Sequence, residues 1–134
     1  MPTVNCTASC TLPAADDTGA GWSGIDPAEL AALIEPVPGL PSRGHIDILR
    51  LDRLHPHISG NKAFKLAGFL PRFRASGRRT LLSFGGPYSN HLHALAALGQ
   101  ALNIPVIALV RGYAHLPLTA TLQDCQSWGT ELVF

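Results

Sequence analysis

Leu81-Leu82-Ser83-Phe84-Gly85-Gly86-Pro87-Tyr88-Ser89-Asn90-His91 is the stretch that decides the fold. Thr80 to Phe84 is a short apolar run, suited to a buried parallel strand. Gly85 and Gly86 turn the chain. Ser89 or Asn90 can cap the helix that follows, which carries Leu92, Leu95, Ala96, Leu98 and Leu102. A strand that turns directly into a helix is the repeating unit of an α/β sheet.

The same alternation continues on both sides. Downstream, Pro105 to Val110 reads as a second buried strand, closed by Arg111-Gly112. Thr119 to Trp128 reads as a helix with Gly129 as its stop, and Glu131 to Phe134 begins another strand. Upstream, the helix opened by Gly60-Asn61-Lys62 carries Lys62, Leu66, Phe69, Leu70 and Phe73 on one stripe and ends near Ser76-Gly77. Pro71 is expected to kink or interrupt it, because its ring clashes with the preceding turn. His45 to Leu51 alternates as a strand does, and His55-Pro56 opens the loop that ends at Gly60. The order β-α-β-α-β-α-β predicts an α/β fold with a mostly parallel sheet flanked by helices. Ligands of such sheets bind beyond the carboxyl ends of the strands, where Gly85 to Asn90 lies.

Residues 1–44 form a separate region of flexible tail, short helix and Pro/Gly connector. Residues 1–24 have no period. Asp26 fits an N-cap, Pro27 the first helical position and Glu29 the third, and the helix is expected to pass Leu30, Leu33 and Ile34 and stop before Pro36. Residues 45–134 form the α/β part.

Composition narrows the function. Hydrophobic residues make up 46% and charged residues 14%, which supports a real core and excludes general disorder. A net charge of +1 argues against nucleic acid or an anionic membrane as partner. Arg72, Arg74, Arg78 and Arg79 read as a solvated helix end. The longest apolar run, Ile104 to Val110, is too short to span a bilayer, and no secretory signal opens the chain. Three cysteines cannot all pair, so free thiols in a reducing, cytoplasmic setting are the plain reading. No metal site is expected: Cys6 and Cys10 lack two further well-spaced ligands, and His91 and His93 diverge on a helix.

Two turns carry the chemistry. Lys62 at a helix start, on an apolar side, offers an amine whose burial would favour its neutral, nucleophilic form. A plain alternative is a lysine of a first turn that reaches into water. Gly85 to His91 offers close backbone approach, free N–H groups at a helix start, a hydroxyl and an amide, which suits a carboxylate or a cofactor oxygen. The plain alternative there is a strand-turn-helix junction with a good cap. His91 is the histidine best placed to line the pocket beside Ser89 and Asn90. The turn is not GxGxxG, a phosphate loop or the GxSxG elbow, which argues against dinucleotide, nucleoside-triphosphate and serine-hydrolase readings.

Taken together, Ile58-Ser59-Gly60-Asn61-Lys62, Phe64-Lys65-Leu66, Leu81 to Gly86 and Ser89-Asn90-His91 resemble the 1-aminocyclopropane-1-carboxylate (ACC) deaminase / D-cysteine desulfhydrase family. These are tryptophan-synthase β-like, fold type II enzymes that depend on pyridoxal 5′-phosphate (PLP). The similarity runs from about His45 to Phe134, including Leu109 to Gly112 and the Leu122 to Gly129 helix. It implies that Lys62 bonds the PLP aldehyde carbon and later handles protons. It implies that Asn90 binds the neighbouring ring oxygen, and that Ser89 binds the substrate carboxylate or transfers a proton. Ser89, Asn90 and His91 would form the substrate side.

His91 stands where the ACC deaminases proper carry glutamine, which leans toward a D-cysteine desulfhydrase-like member. Ala63 stands where a larger side chain is expected. The implied activity is deamination or lysis of a small amino acid to a 2-oxo acid and ammonia. Family members are homodimers more than twice this length, and their later part holds the PLP phosphate. The expectation is therefore an N-terminal part with an open sheet edge and an uncovered helix face, exposed apolar area that promotes association. A reading from another class is a non-catalytic α/β module that binds a small anion or a partner at Gly85 to His91.

Overall fold

The computed structural model describes residues 27–38, 46–58, 60–112 and 117–134. The expected tail, the proposed N-cap Asp26, Ser59, and Cys6 and Cys10 lie outside them.

The chain forms an α/β fold with a three-stranded parallel sheet and a separate antiparallel ribbon. In order, the elements are α1 (Pro27–Ala31), β1 (Ile34–Pro36), β2 (Asp47–Leu49), a 3-10 turn (Leu51–Arg53), α2 (Asn61–Ala75) and β3 (Leu81–Gly85). They continue with α3 (Asn90–Leu102), β4 (Val106–Val110), α4 (Ala120–Ser127) and β5 (Glu131–Val133). The sheet order is β3-β4-β5, all parallel, with Leu81 opposite Val106 and Ile107 opposite Glu131.

Three expectations change at the N-terminal side. The first helix stops at Ala31, and Ile34 lies in β1. The strand expected over 45–51 is shorter and stays out of the parallel sheet: β2 pairs antiparallel with β1, with Ile34 opposite Leu49. Backbone bonds Val37 N to Ile46 O and Arg50 N to Leu33 O extend that ladder. The physical reason is proximity. The short connector lets two nearby extended segments close a ribbon at low loop-closure cost. Glu35 then pairs with Arg50 at 3.2 Å and with Arg53, and Arg50 pairs with Asp52 at 2.7 Å. These ion pairs are solvent-exposed and contribute little stability.

Helix α2 begins at Gly60, whose φ of 63° and ψ of −148° suit a residue without Cβ. It is not interrupted at Pro71. Leu66 and Ala67 before the proline and Leu70 and Phe73 around it share one buried face. That burial outweighs the roughly 3 kcal/mol that an interior proline costs. Phe69 does not join the stripe; it is about half exposed.

Helix α3 is the centre of the fold. Ala94, Leu95, Ala97 and Leu98 pack with Ile58, Leu66, Leu70, Leu81 and Val106. Leu92 and Ala96 pack with Ala108, Val110, Leu122 and Cys125. A helix apolar on so much of its surface must be covered from two sides. Trp128 touches both clusters and closes the seam. Cys125 is a fully buried free thiol, and burial pushes its pKa up to about 11.

Among the described residues, the sheet is covered on one face only. Residues 81, 106, 108 and 110 point to the helices and are buried. The alternate residues point away: Leu82 is 62% exposed and Phe84 79% exposed, with Leu109 and Val133 beside them. The expectation of a wholly buried strand at 80–84 is thus half met. The uncovered apolar face, expected on a helix, lies instead on the sheet: Phe84, Leu109 and Val133, with Phe134, line an open groove of about 510 Å³. Arg111 and Gly86 stand at one end of this groove. Among the described residues no helix is long and apolar enough to cross a membrane.

Candidate functional site

The carboxyl end of β3 delivers the central turn. Gly85 must be glycine for space: a Cβ there would lie 2.7 Å from Ser89 Oγ and 3.0 Å from Leu92 Cγ. The chain therefore folds tightly back, and Ser89 N bonds to Gly86 O at 3.1 Å. Ser89 is the N-cap of α3, and its Oγ accepts from Leu92 N at 3.3 Å. One of its two lone pairs is thereby committed to the helix. Its proton stays available as a donor. Asn90 opens α3 and is exposed to solvent. Thr119, the cap of α4, donates its hydroxyl to Pro87 O and so ties the turn to the neighbouring helix.

His91 lies one residue further, half-buried. Its Nε2 stands 3.0 Å from Ser83 Oγ, a contact across the turn from strand to helix. Its pKa is lowered, first by burial and then by the positive charges of Lys62 and Lys65. A partly desolvated imidazole beside two ammonium groups favours its neutral form. The charges of both lysines thus act on His91, and α2 packs against α3 through Leu66, Leu70, Ala94 and Leu98.

Lys62 itself is only half-buried, and its Nζ donates to Asn61 Oδ1 at 2.7 Å. The burial on an apolar stripe that the sequence suggests is taken instead by Ala63, Leu66, Ala67, Leu70 and Phe73. Lys62 borders that face because it sits in the first turn, where the helix leaves the core. Ala63, which stands where a larger side chain is expected, is 1% exposed and belongs to the same core cluster as Ile58.

Several residues of the site are not evident from sequence. Ser83 sits inside an apolar run, and only the strand-to-helix fold-back brings it to His91. His93 bridges two elements: Nδ1 is 3.3 Å from His57 O, and Nε2 is 3.1 Å from Asp124 Oδ2. The rings of His57 and His93 lie 5.0 and 4.7 Å from that of Trp128. Arg111 reaches toward the glycine turn, with Nη2 3.8 Å from where a Gly86 Cβ would stand. A lone arginine after a strand carries no periodic signal. No cluster of metal ligands occurs among the described residues.

For a PLP cofactor, Lys62, Asn90 and the Gly85-Gly86 turn offer suitable donor types. A primary amine, an exposed side-chain amide and a glycine turn suit an aldehyde and the ring oxygen beside it. The groove described above is lined from the other face of the sheet and includes none of Lys62, Ser89 or Asn90. The first turn of α3 and Arg111 are the groups that could meet an anion. Compared with family models and with curated proteins, the chain matches none.

Proposed function

We propose that this chain is the lysine-bearing α/β portion of a PLP-dependent deaminase or lyase of the ACC deaminase / D-cysteine desulfhydrase family, acting on a small amino acid. What supports the reading is that the positive charges of Lys62 and Lys65, after burial, depress the pKa of His91, as nearness of the two motifs would require. PLP, when bound, supplies an aldehyde carbon and an electron-withdrawing ring. Lys62 offers the amine that engages it, held toward Asn61 until then. Asn90 is exposed and free to donate its amide to the ring oxygen. The Ser89 hydroxyl keeps a proton to give to a substrate carboxylate, and neutral His91, steadied by Ser83, lines the substrate side. The products would be ammonia and a 2-oxo acid, in a cytoplasmic setting and as a homodimer in the full-length enzyme.

The test is reduction with borohydride after incubation with PLP, followed by peptide mapping. Label should collect at Lys62 and be lost in Lys62→Ala but not in Lys65→Ala. Equal labelling of Lys62 and Lys65 would reduce the amine to an ordinary surface lysine and sink the proposal.

One observation favours a second reading, a non-catalytic module that binds a small anion. Arg111 brings a guanidinium to the same glycine turn as the α3 N-terminus. That reading expects anion binding to survive Lys62→Ala and to fail in Arg111→Ala.

A further inference from the structure

The loop that delivers Lys62 is held by a histidine outside the proposed site. His55 Nδ1 faces two backbone N–H groups, that of His57 at 3.1 Å and that of Ile58 at 3.0 Å. A backbone N–H can only donate, so Nδ1 must present a lone pair and the ring proton must reside on Nε2. The side chain thus turns the chain back as an Asn or Asp does in an Asx turn. Pro56, between the two, fixes one backbone torsion of the turn.

The turn matters because of what it sets. Ile58 is 1% exposed and packs into the cluster formed by α2 and α3. Two residues later Gly60 donates to Leu51 O and caps α2, and Lys62 follows. His57 reports on the same segment from the other side, with its carbonyl on His93 and its ring against Trp128.

We infer that His55 is a positioning residue: as a neutral imidazole it locks the 55–58 turn and so sets the Ile58 anchor and the approach of Lys62, and protonation of its Nδ1 releases that turn. A proton on Nδ1 would oppose donor to donor at both contacts. Burial lowers the pKa of His55, and the nearby His57 ring, 6.2 Å away, lowers it further. For a histidine whose folded-state pKa is depressed, the stabilisation is present above the ordinary value of 6.5 and is lost as pH falls below it. The charged and titratable groups around the turn are His57 within it, His93 of α3 and Asp124 of α4, the last two bonded to each other. The role of the turn stands on geometry alone; its bearing on Lys62 chemistry rests on the function proposed above.

Amide exchange by NMR on the full chain tests it, read as protection of the His57 and Ile58 amides between about pH 5 and 8. Wild-type protection should fall several-fold on the acid side, while the α3 amides keep theirs. His55→Asn offers an acceptor that does not titrate in this range and should hold protection flat across it. His55→Ala should lose protection at every pH. A pH-independent wild type, or an acid loss that persists in His55→Asn, overturns the inference. If exchange behaves as described but Lys62 shows no selective PLP labelling, the proposed function fails and the role of His55 in the turn stands.

Discussion

Ser83 Oγ and His91 Nε2 lie 3.0 Å apart, joining the middle of β3 to the first turn of α3 across the glycine turn. This contact orients the imidazole and ties the helix start to the strand. Ser83→Ala should cost about 1 kcal/mol, the usual net worth of one such bond. It should also broaden or shift the His91 ring resonances, measured by NMR beside a thermal melt. Unchanged ring signals would mean that Ser83 does not orient His91.

The charges around His91 set its titration. Its pKa is lowered by burial first, then by Lys62 and Lys65. Lys62→Met and Lys65→Met should each raise the midpoint, and the double variant should raise it further. Because the folded-state value is depressed, the contribution to stability is present above about 6.5 and is lost on acidification. Melting temperature should therefore fall below that pH, by less in the double variant. A midpoint that ignores both lysines would separate the two motifs in space.

The fold-back at Gly85 leaves no room for a side chain. Gly85→Ala would bring a Cβ to 2.7 Å from Ser89 Oγ and 3.0 Å from Leu92 Cγ. The expected loss is about 1–3 kcal/mol, as for overpacking elsewhere. Ser89→Ala removes the cap that Leu92 N uses and should cost about 1 kcal/mol. Combined, the two should cost somewhat less than their sum, because Ser89→Ala removes the Oγ contact, while the Ser89 Cβ contact at 2.9 Å and the Leu92 Cγ contact remain. Denaturant melts of the four proteins form the cycle; strict additivity would place Gly85 and Ser89 out of contact.

The bare side of the sheet should behave as sticky surface. Phe84 and Leu109, opposite each other in the β3-β4 register, are both exposed. Phe84→Ser with Leu109→Thr should raise the soluble concentration limit and reduce binding of a hydrophobic dye, with little change in melting temperature. A large drop in melting temperature would show that these side chains are buried in solution.

The cysteine of α4 offers a check on the core. Cys125 is fully buried, and its thiol is pushed up to about 11. In a Cys6→Ser, Cys10→Ser background, thiol reagents should label it only as the protein unfolds. Rapid native labelling would mean that α4 is not seated on α3.

The strand-turn-helix at 81–102, the strand at 106–110 and the helix at 120–127 were all legible in the sequence. Each joins a local signal to a pattern: Ser89 and Thr119 as caps, Gly129 as a stop, apolar runs of strand length. Such signals act between residues a few positions apart, so a linear reading can find them. The helix starts that carry the candidate residues Lys62, Ser89, Asn90 and His91 were legible for the same reason. What tertiary structure decided is which surfaces meet. It placed residues 47–49 in a ribbon with 34–36 instead of the sheet, left Lys62 at the rim of the core, and aimed Ser83 at His91. It also put His55 under the turn that leads to Lys62. These outcomes depend on burial and contacts between distant segments, whose energies have no period or local spacing by which a sequence could announce them.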